Sequence, residues 1–230
     1  MRNNLWIFGD SFSFGTGMND WEEYYIQYLK PNDISKKEFG VYLSEEMNLD
    51  FKQLSFGGLS NDAILRIIIE NLHKFKKGDV VLIGITDEFR FEMMLPIHGK
   101  FEYKSFLVEE VIGKNMHEEK KIQSTLEDYI RYIHLEAIEY KNKSVSNQLI
   151  SIKEHLNGIG ISTYIWNYLT HDENRIGYTI DMNEIERITQ ATNNNIIDTH
   201  PSYKGHKQLS KQFLKMIKRI EPPLNDRELI

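Results

Sequence analysis

Ser11 and His200 are the two residues of this chain whose types and settings suggest covalent chemistry. Ser11 ends the triplet Gly9-Asp10-Ser11, directly after the apolar run Leu5-Trp6-Ile7-Phe8. His200 stands in Asp198-Thr199-His200-Pro201, near the other end of the chain. A serine hydroxyl is a weak nucleophile until a base removes its proton, and a histidine in reach is the usual base. Asp198 precedes His200 by two positions, which in an extended loop puts both on one side. Its carboxylate could then accept from the imidazole Nδ1, fix the tautomer and stabilise the imidazolium. A serine, an acid and a histidine in this relation are the minimum equipment of a serine hydrolase.

An attacked carbonyl becomes an oxyanion and needs donors. The backbone N–H of Ser11 is one candidate, because it opens a turn or a helix N-terminus. Gly58 is a second, because glycine lets the backbone approach a ligand closely. Asp10 is expected to order the nucleophile turn through hydrogen bonds rather than to transfer protons. Asp87 would cap its turn or hold Arg90. His206 falls at a helix start, where packing or solvent contact is its expected role. The histidines show no metal-ligand spacing, and no cofactor is required by this chemistry.

These residues need a scaffold that gathers their loops. Leu5–Phe8, Phe51–Ser55, Val80–Ile85 and Ile161–Trp166 read as strands, with Ile196-Ile197 as a fifth stub. Between them lie helical patterns. Phe39, Leu43 and Met47 form a stripe that Ser35 could cap, and Ser60-Asn61-Asp62 opens a helix through Ile64, Ile67, Ile68 and Leu72. A long helix is expected from about 126 to 157, closed by Gly158. Further helices are expected over 181–192, capped by Asp181, and over 205–220, ended by Pro222-Pro223. Residues 18–34 read as an irregular excursion. Residues 88–124 read as an insertion after the third strand, a lid or a hairpin, whose Phe89, Phe91, Met93, Met94, Leu95 cluster is expected to be buried rather than to line an acyl or aromatic pocket, the other reading open to it. Alternating strands and helices predict an α/β fold with a parallel sheet covered on both faces. Functional residues of such sheets gather at the carboxyl ends of strands, where all the candidates above fall.

Composition sets outer bounds. A chain of 230 residues with 40% hydrophobic residues suits one α/β domain, taken as 1–220 with a tail at 221–230. The formal charge of −6 argues against a nucleic-acid partner. Absence of cysteine excludes disulfides, Cys-based zinc sites and thiol nucleophiles. No apolar run is long enough for a signal peptide or a membrane span, so a cytoplasmic location is expected. Lys207, Lys211, Lys215 and Lys218 make a solvated stripe opposite Leu209, Phe213, Met216 and Ile220.

In four places the chain resembles the GDSL, or SGNH, hydrolases. Gly9-Asp10-Ser11 looks like their first block, and Gly57-Gly58-Leu59-Ser60-Asn61 like their second, with Gly58 the matching glycine. Gly84-Ile85-Thr86-Asp87 looks like their Gly-x-Asn-Asp, and Asp198-Thr199-His200-Pro201 like their terminal Asp-x-x-His. The order of blocks spans about residues 4–215. The resemblance implies a three-layer α/β/α, flavodoxin-like parallel sheet and hydrolysis of esters, thioesters or O-acetyl groups on a small molecule or a glycan. The chain also resembles the short, signal-less members found in phages and bacteria. Two departures stand out. Thr86 replaces the asparagine whose side chain is the family's third oxyanion donor. Thr86 is expected to take that oxyanion-donor place, since its hydroxyl can still donate, though it reaches roughly one bond less far; outright loss of such a donor costs about 2.7–4 kcal/mol of transition-state stabilisation. Asn61, taken as a supporting residue, and Asn167 are candidates to compensate. The Asp-x-His spacing is also one residue short.

Two other readings stay open on the residues alone. Ser11 through Gly17 could cradle a phosphate, as flavodoxin-type loops do for a nucleotide. A catalytically silent relative that binds a glycan or assembles with partners is the other, with Thr86 as its main support.

Overall fold

Alternate residues of the first strand enter opposite layers, and that alternation organises the molecule. In the computed structural model, which describes residues 2–14, 38–86, 89–97, 100–108, 124, 127–168, 176–187 and 200–218, β1 runs over Asn4–Gly9. Trp6 and Phe8 join Val81 and Ile83 of β3 (Val80–Gly84) in one core. The cover is Ile64, Leu65 and Ile68 of α3 (Asn61–Asn71) with Val145, Leu149 and Leu156 of α4 (Leu135–Gly158). Leu5 and Ile7 join Val80 and Leu82 on the other side, against Phe39 and Leu43 of α2 (Phe39–Met47) and Leu209 and Phe213 of α5 (Tyr203–Lys218). A strand buried on both faces has no polar positions to spare, which is why β1 and β3 read as continuous apolar runs.

The sheet is parallel, in the order β2-β1-β3-β6-β7. Here β2 is Asp50–Ser55, β6 is Ser162–Asn167 and β7 is Tyr178–Thr179. Strand order reverses between β1 and β3, so the carboxyl ends of these two strands flank a switch-point crevice. Helix α1, Ser11–Phe14, starts there.

The insertion contains an antiparallel hairpin, β4 (Arg90–Ile97) and β5 (Lys100–Leu107), with Arg90 opposite Leu107. Strand alternation divides its apolar cluster. Phe91 and Leu95 are buried with Phe106, Val108 and Ile130, whereas Phe89 and Met94 are exposed, so the expected burial holds for only part of it. Arg66 of α3 fastens the hairpin. Its Nε and Nη2 donate to Glu92 at 3.0 and 2.7 Å, and its guanidinium lies 4.4 Å from the Tyr103 ring centre. Ser105 Oγ also accepts from the Ser60 amide at 3.2 Å.

Several expectations are corrected. Residues 181–187 do not form a helix: Asp181 Oδ1 accepts from the Asn183 amide and caps a single 3-10 turn, Met182–Glu184, after which Arg187 bridges to Pro201. Gly160, not Gly158, closes α4. It takes φ +86°, the Gly160 amide donates to Asn157 O, and the Ile161 amide to Leu156 O, a pattern that needs a left-handed residue. Helix α2 begins at Phe39 with Glu38 as a cap that makes no side-chain bond. Ser35, the excursion at 18–34, the strand stub at 196–197 and Pro222-Pro223 lie outside the described residues. The fifth strand of the sheet is β7. No helix among the described residues is long and apolar enough to cross a membrane.

Candidate active site

Gly9 ends β1 with φ +152°, and a Cβ built there would overlap the Ser13 hydroxymethyl group. Only glycine allows α1 to turn back so tightly over the strand end. The turn presents Ser11, half-buried, at the switch-point crevice. Its Oγ lies 2.8 Å from His200 Nε2, although 189 positions separate the two residues. A serine and an imidazole at this distance are within proton-transfer reach.

Asp10 holds the turn and is 1% exposed. Its Oδ1 accepts from the Phe12 amide at 3.1 Å. Its Oδ2 accepts from the Thr86 hydroxyl at 2.7 Å and the Tyr168 hydroxyl at 2.8 Å. These bonds tie the Asp10 carboxylate to the turn, to the tip of β3 and to Tyr168. Burial first, then the Asp10 charge, pushes the Tyr168 phenol well above its ordinary range, so it stays a donor. The Phe12 ring lies between Tyr168, with centres 3.9 Å apart, and His200, at 4.7 Å. The stack limits the swing of the imidazole.

The other expected residues fall as follows. Gly58 takes φ +80° in the turn after β2, and a Cβ at neighbouring Gly57 would stand 4.0 Å from Ser11 Cβ. The second block therefore flanks the serine. Thr86 is buried at the tip of β3, but its hydroxyl hydrogen is given to Asp10. In this arrangement that hydrogen is directed to Asp10 and away from the crevice donor place expected of the block. Asn61 supports Thr86: its Oδ1 accepts from the Thr86 amide at 2.9 Å and its Nδ2 donates to Thr86 O at 3.0 Å. Asn167 is also turned inward, its Nδ2 donating to Ile176 O at 3.3 Å. Asp198 and Asp87 lie outside the described residues, as do residues 15–17 of the alternative phosphate loop. Sequence reasoning missed Phe12 and Tyr168. Their positions, beside the serine and just after the tip of β6, were the available signal.

Behind His200, His206 packs as a core residue. It is fully buried, nearly parallel to Phe39, and accepts from the Phe39 amide at Nδ1, 3.4 Å away. Burial, with the nearby His200 adding to it, lowers its pKa to about 3. The folded-state value lies below that of the unfolded chain, so His206 favours folding fully above pH 6.5. That contribution is lost as pH falls toward 3, because only the unfolded chain binds the proton. Between pH 6.5 and 5 the loss is about 2 kcal/mol. Denaturant titrations at both values should show it, and His206→Gln should flatten the change. An unchanged slope would mean that His206 titrates normally. Glu38 has the opposite sense: burial raises its pKa to about 7, so its contribution is lost as pH rises from about 4.5 through 7. Comparing variant and parent isolates the histidine.

No family model matches the chain, and no curated protein matches it. Solved structures do match over most of its length. A protein of the G-D-S-L family from Desulfitobacterium hafniense is 12% identical, with 94% of this chain and 99% of that one covered, at a TM-score of 0.43. A lipase from a goat rumen metagenome is 14% identical, with 95% and 100% covered, at 0.41. An acetyl xylan esterase from the rumen bacterium Butyrivibrio proteoclasticus is 13% identical, with 94% and 63% covered, at 0.41. Likenesses this distant say nothing about activity. The chain's own parallel sheet, its strand order and its two helical layers have an SGNH/GDSL-like α/β/α arrangement.

Proposed function

We propose that this chain is a serine hydrolase that cleaves a carboxylic ester, thioester or O-acetyl group of a small molecule or glycan. The observation that carries the reading is the 2.8 Å approach of Ser11 Oγ to His200 Nε2 at the switch-point crevice. His200 Nε2 takes the hydroxyl proton while Ser11 Oγ bonds to the carbonyl carbon, and the carbonyl electron pair moves onto oxygen. The amides of Ser11 and Gly58 receive that oxyanion. Collapse breaks the bond to the leaving alkoxide or thiolate, which takes the proton from His200. Water then repeats the sequence on the acyl-enzyme and frees the acid. Asp198 is assigned the orienting role on the imidazole.

A second reading, a silent relative, has one observation in its favour: the Thr86 hydroxyl is spent on Asp10. Labelling with a fluorophosphonate separates the two. An active hydrolase carries one label that Ser11→Ala abolishes, and it turns over short acyl esters or acetylated sugars. An unlabelled Ser11 together with no turnover across short and long esters would reject the hydrolase.

A further inference from the structure

The Thr86 hydroxyl donates to Asp10, and close by stands a cation, Arg90, without a polar partner among the described residues. Arg90 opens β4, and a Cβ built on Gly58 would stand 3.5 Å from Arg90 Nη1. Arg90 Nε is buried without an acceptor, and among the described residues the guanidinium has no hydrogen bond or ion pair. A guanidinium stays charged at any working pH. Leaving one of its donors buried and unpaired costs about 1–3 kcal/mol. Folds carry such a cost where the group is used, so the bare donor points to a bound negative charge.

The surroundings indicate which charge. A Cβ on Gly57 would meet Ser11 Cβ at 4.0 Å, and one on Gly58 would meet Arg90 Nη1 at 3.5 Å, so the turn neighbours both. Arg90 also acts electrostatically on the Tyr168 phenol, which shares Asp10 Oδ2 with Thr86. The guanidinium therefore stands beside the oxyanion glycine, and its positive charge acts on the Tyr168 phenol against the larger effects of burial and Asp10. The hairpin that carries it is anchored, because Arg66 clamps Glu92 two residues further along β4 and Ser105 ties the hairpin to the start of α3. A donor carried on an anchored strand needs only side-chain adjustment when charge develops.

On the serine-hydrolase reading above, we propose that Arg90 is the third oxyanion donor of this site, filling with a guanidinium N–H the place that Thr86 leaves empty. Ser11 adds to the carbonyl carbon, the π pair becomes the oxyanion lone pair, and Arg90 donates a hydrogen bond to it without giving up its proton. The role is selective for the transition state, because the ground-state carbonyl carries little charge.

The test uses the full chain with p-nitrophenyl acetate, which is neutral, and the p-nitrophenyl monoester of succinic acid, which carries a carboxylate. Arg90→Met should lower kcat on the neutral ester about a hundredfold or more, leave KM within about twofold, and slow fluorophosphonate labelling of Ser11 by a similar factor. Arg90→Lys should recover part of the loss, since it keeps the charge but not the fork of donors. It also gives a second reading if the methionine variant fails to fold. Unchanged kcat on p-nitrophenyl acetate in both variants would overturn the proposal. A rise in KM confined to the succinyl ester would also overturn it, because Arg90 would then hold a substrate carboxylate. No Ser11-dependent turnover by the unsubstituted protein is a different failure, and would remove the hydrolase reading together with the role of Arg90.

Discussion

Ser11→Ala should lower ester turnover by at least about 10⁴-fold, because it removes the atom that bonds to the acyl group. Whatever persists would come from the oxyanion donors and from binding. Stability should change by less than about 1 kcal/mol. Ser11 is only half-buried, and the turn is held by Asp10 through the Phe12 amide and not by the Ser11 hydroxyl. His200→Ala should cost about as much activity, and the double variant hardly more than either single one, because the two side chains act as a unit. Steady-state kinetics on p-nitrophenyl acetate, with thermal melts as the folding control, would read all three. Multiplying losses in the double variant would mean that the two residues contribute separately, and a proton relay between them would have to be abandoned.

Asp79→Ala should have the largest effect on stability while sparing the chemistry. Asp79 is wholly buried at the amino ends of β1 and β3, the opposite edge of the sheet from Ser11. Its carboxylate accepts from the Asn4 amide and Trp6 Nε1 at 2.8 Å each, and from the Lys76 amide at 3.1 Å. Alanine would leave these donors unpaired around a small void. Each stranded donor costs about 1–3 kcal/mol, partly offset by water and relaxation, so the sum is about 3–5 kcal/mol. Urea unfolding should show a lower midpoint at an unchanged slope. Asp79→Asn should lose less, since one acceptor oxygen remains. Activity per folded molecule should be unaltered in both. A loss below about 1 kcal/mol in the alanine variant would mean that water replaces the carboxylate.

The contrast between these two aspartates shows what could be read without coordinates. Asp10 sits in a triplet whose position, directly after the first strand, marks it as part of a functional turn. Asp79 shares only a Gly-Asp turn with countless ordinary loops, and nothing local reveals that it receives the indole N–H of Trp6, 73 positions away. Strand β7 was missed for a similar reason. Two residues paired to Trp166 and Asn167 are too few to show a period. The expected helix after Asp181 failed because its cap was recognised correctly but the following chain is drawn into a bridge with Pro201. The apolar cluster of 89–95 was treated as one body, whereas a strand sends neighbours to opposite sides.

The amino-acid order alone determined the layered α/β fold and the candidates at its strand ends. Apolar periodicity and glycine turns are local properties, and each is written within about ten consecutive residues. The meeting of Ser11 with His200, the hydrogen bond from the Thr86 hydroxyl to Asp10 and the placement of Arg90 beside Gly58 were decided only by the tertiary structure. A hydrogen bond depends on ångström distances between side chains. Where those chains are 76 or 189 positions apart, only the packed sheet sets such distances.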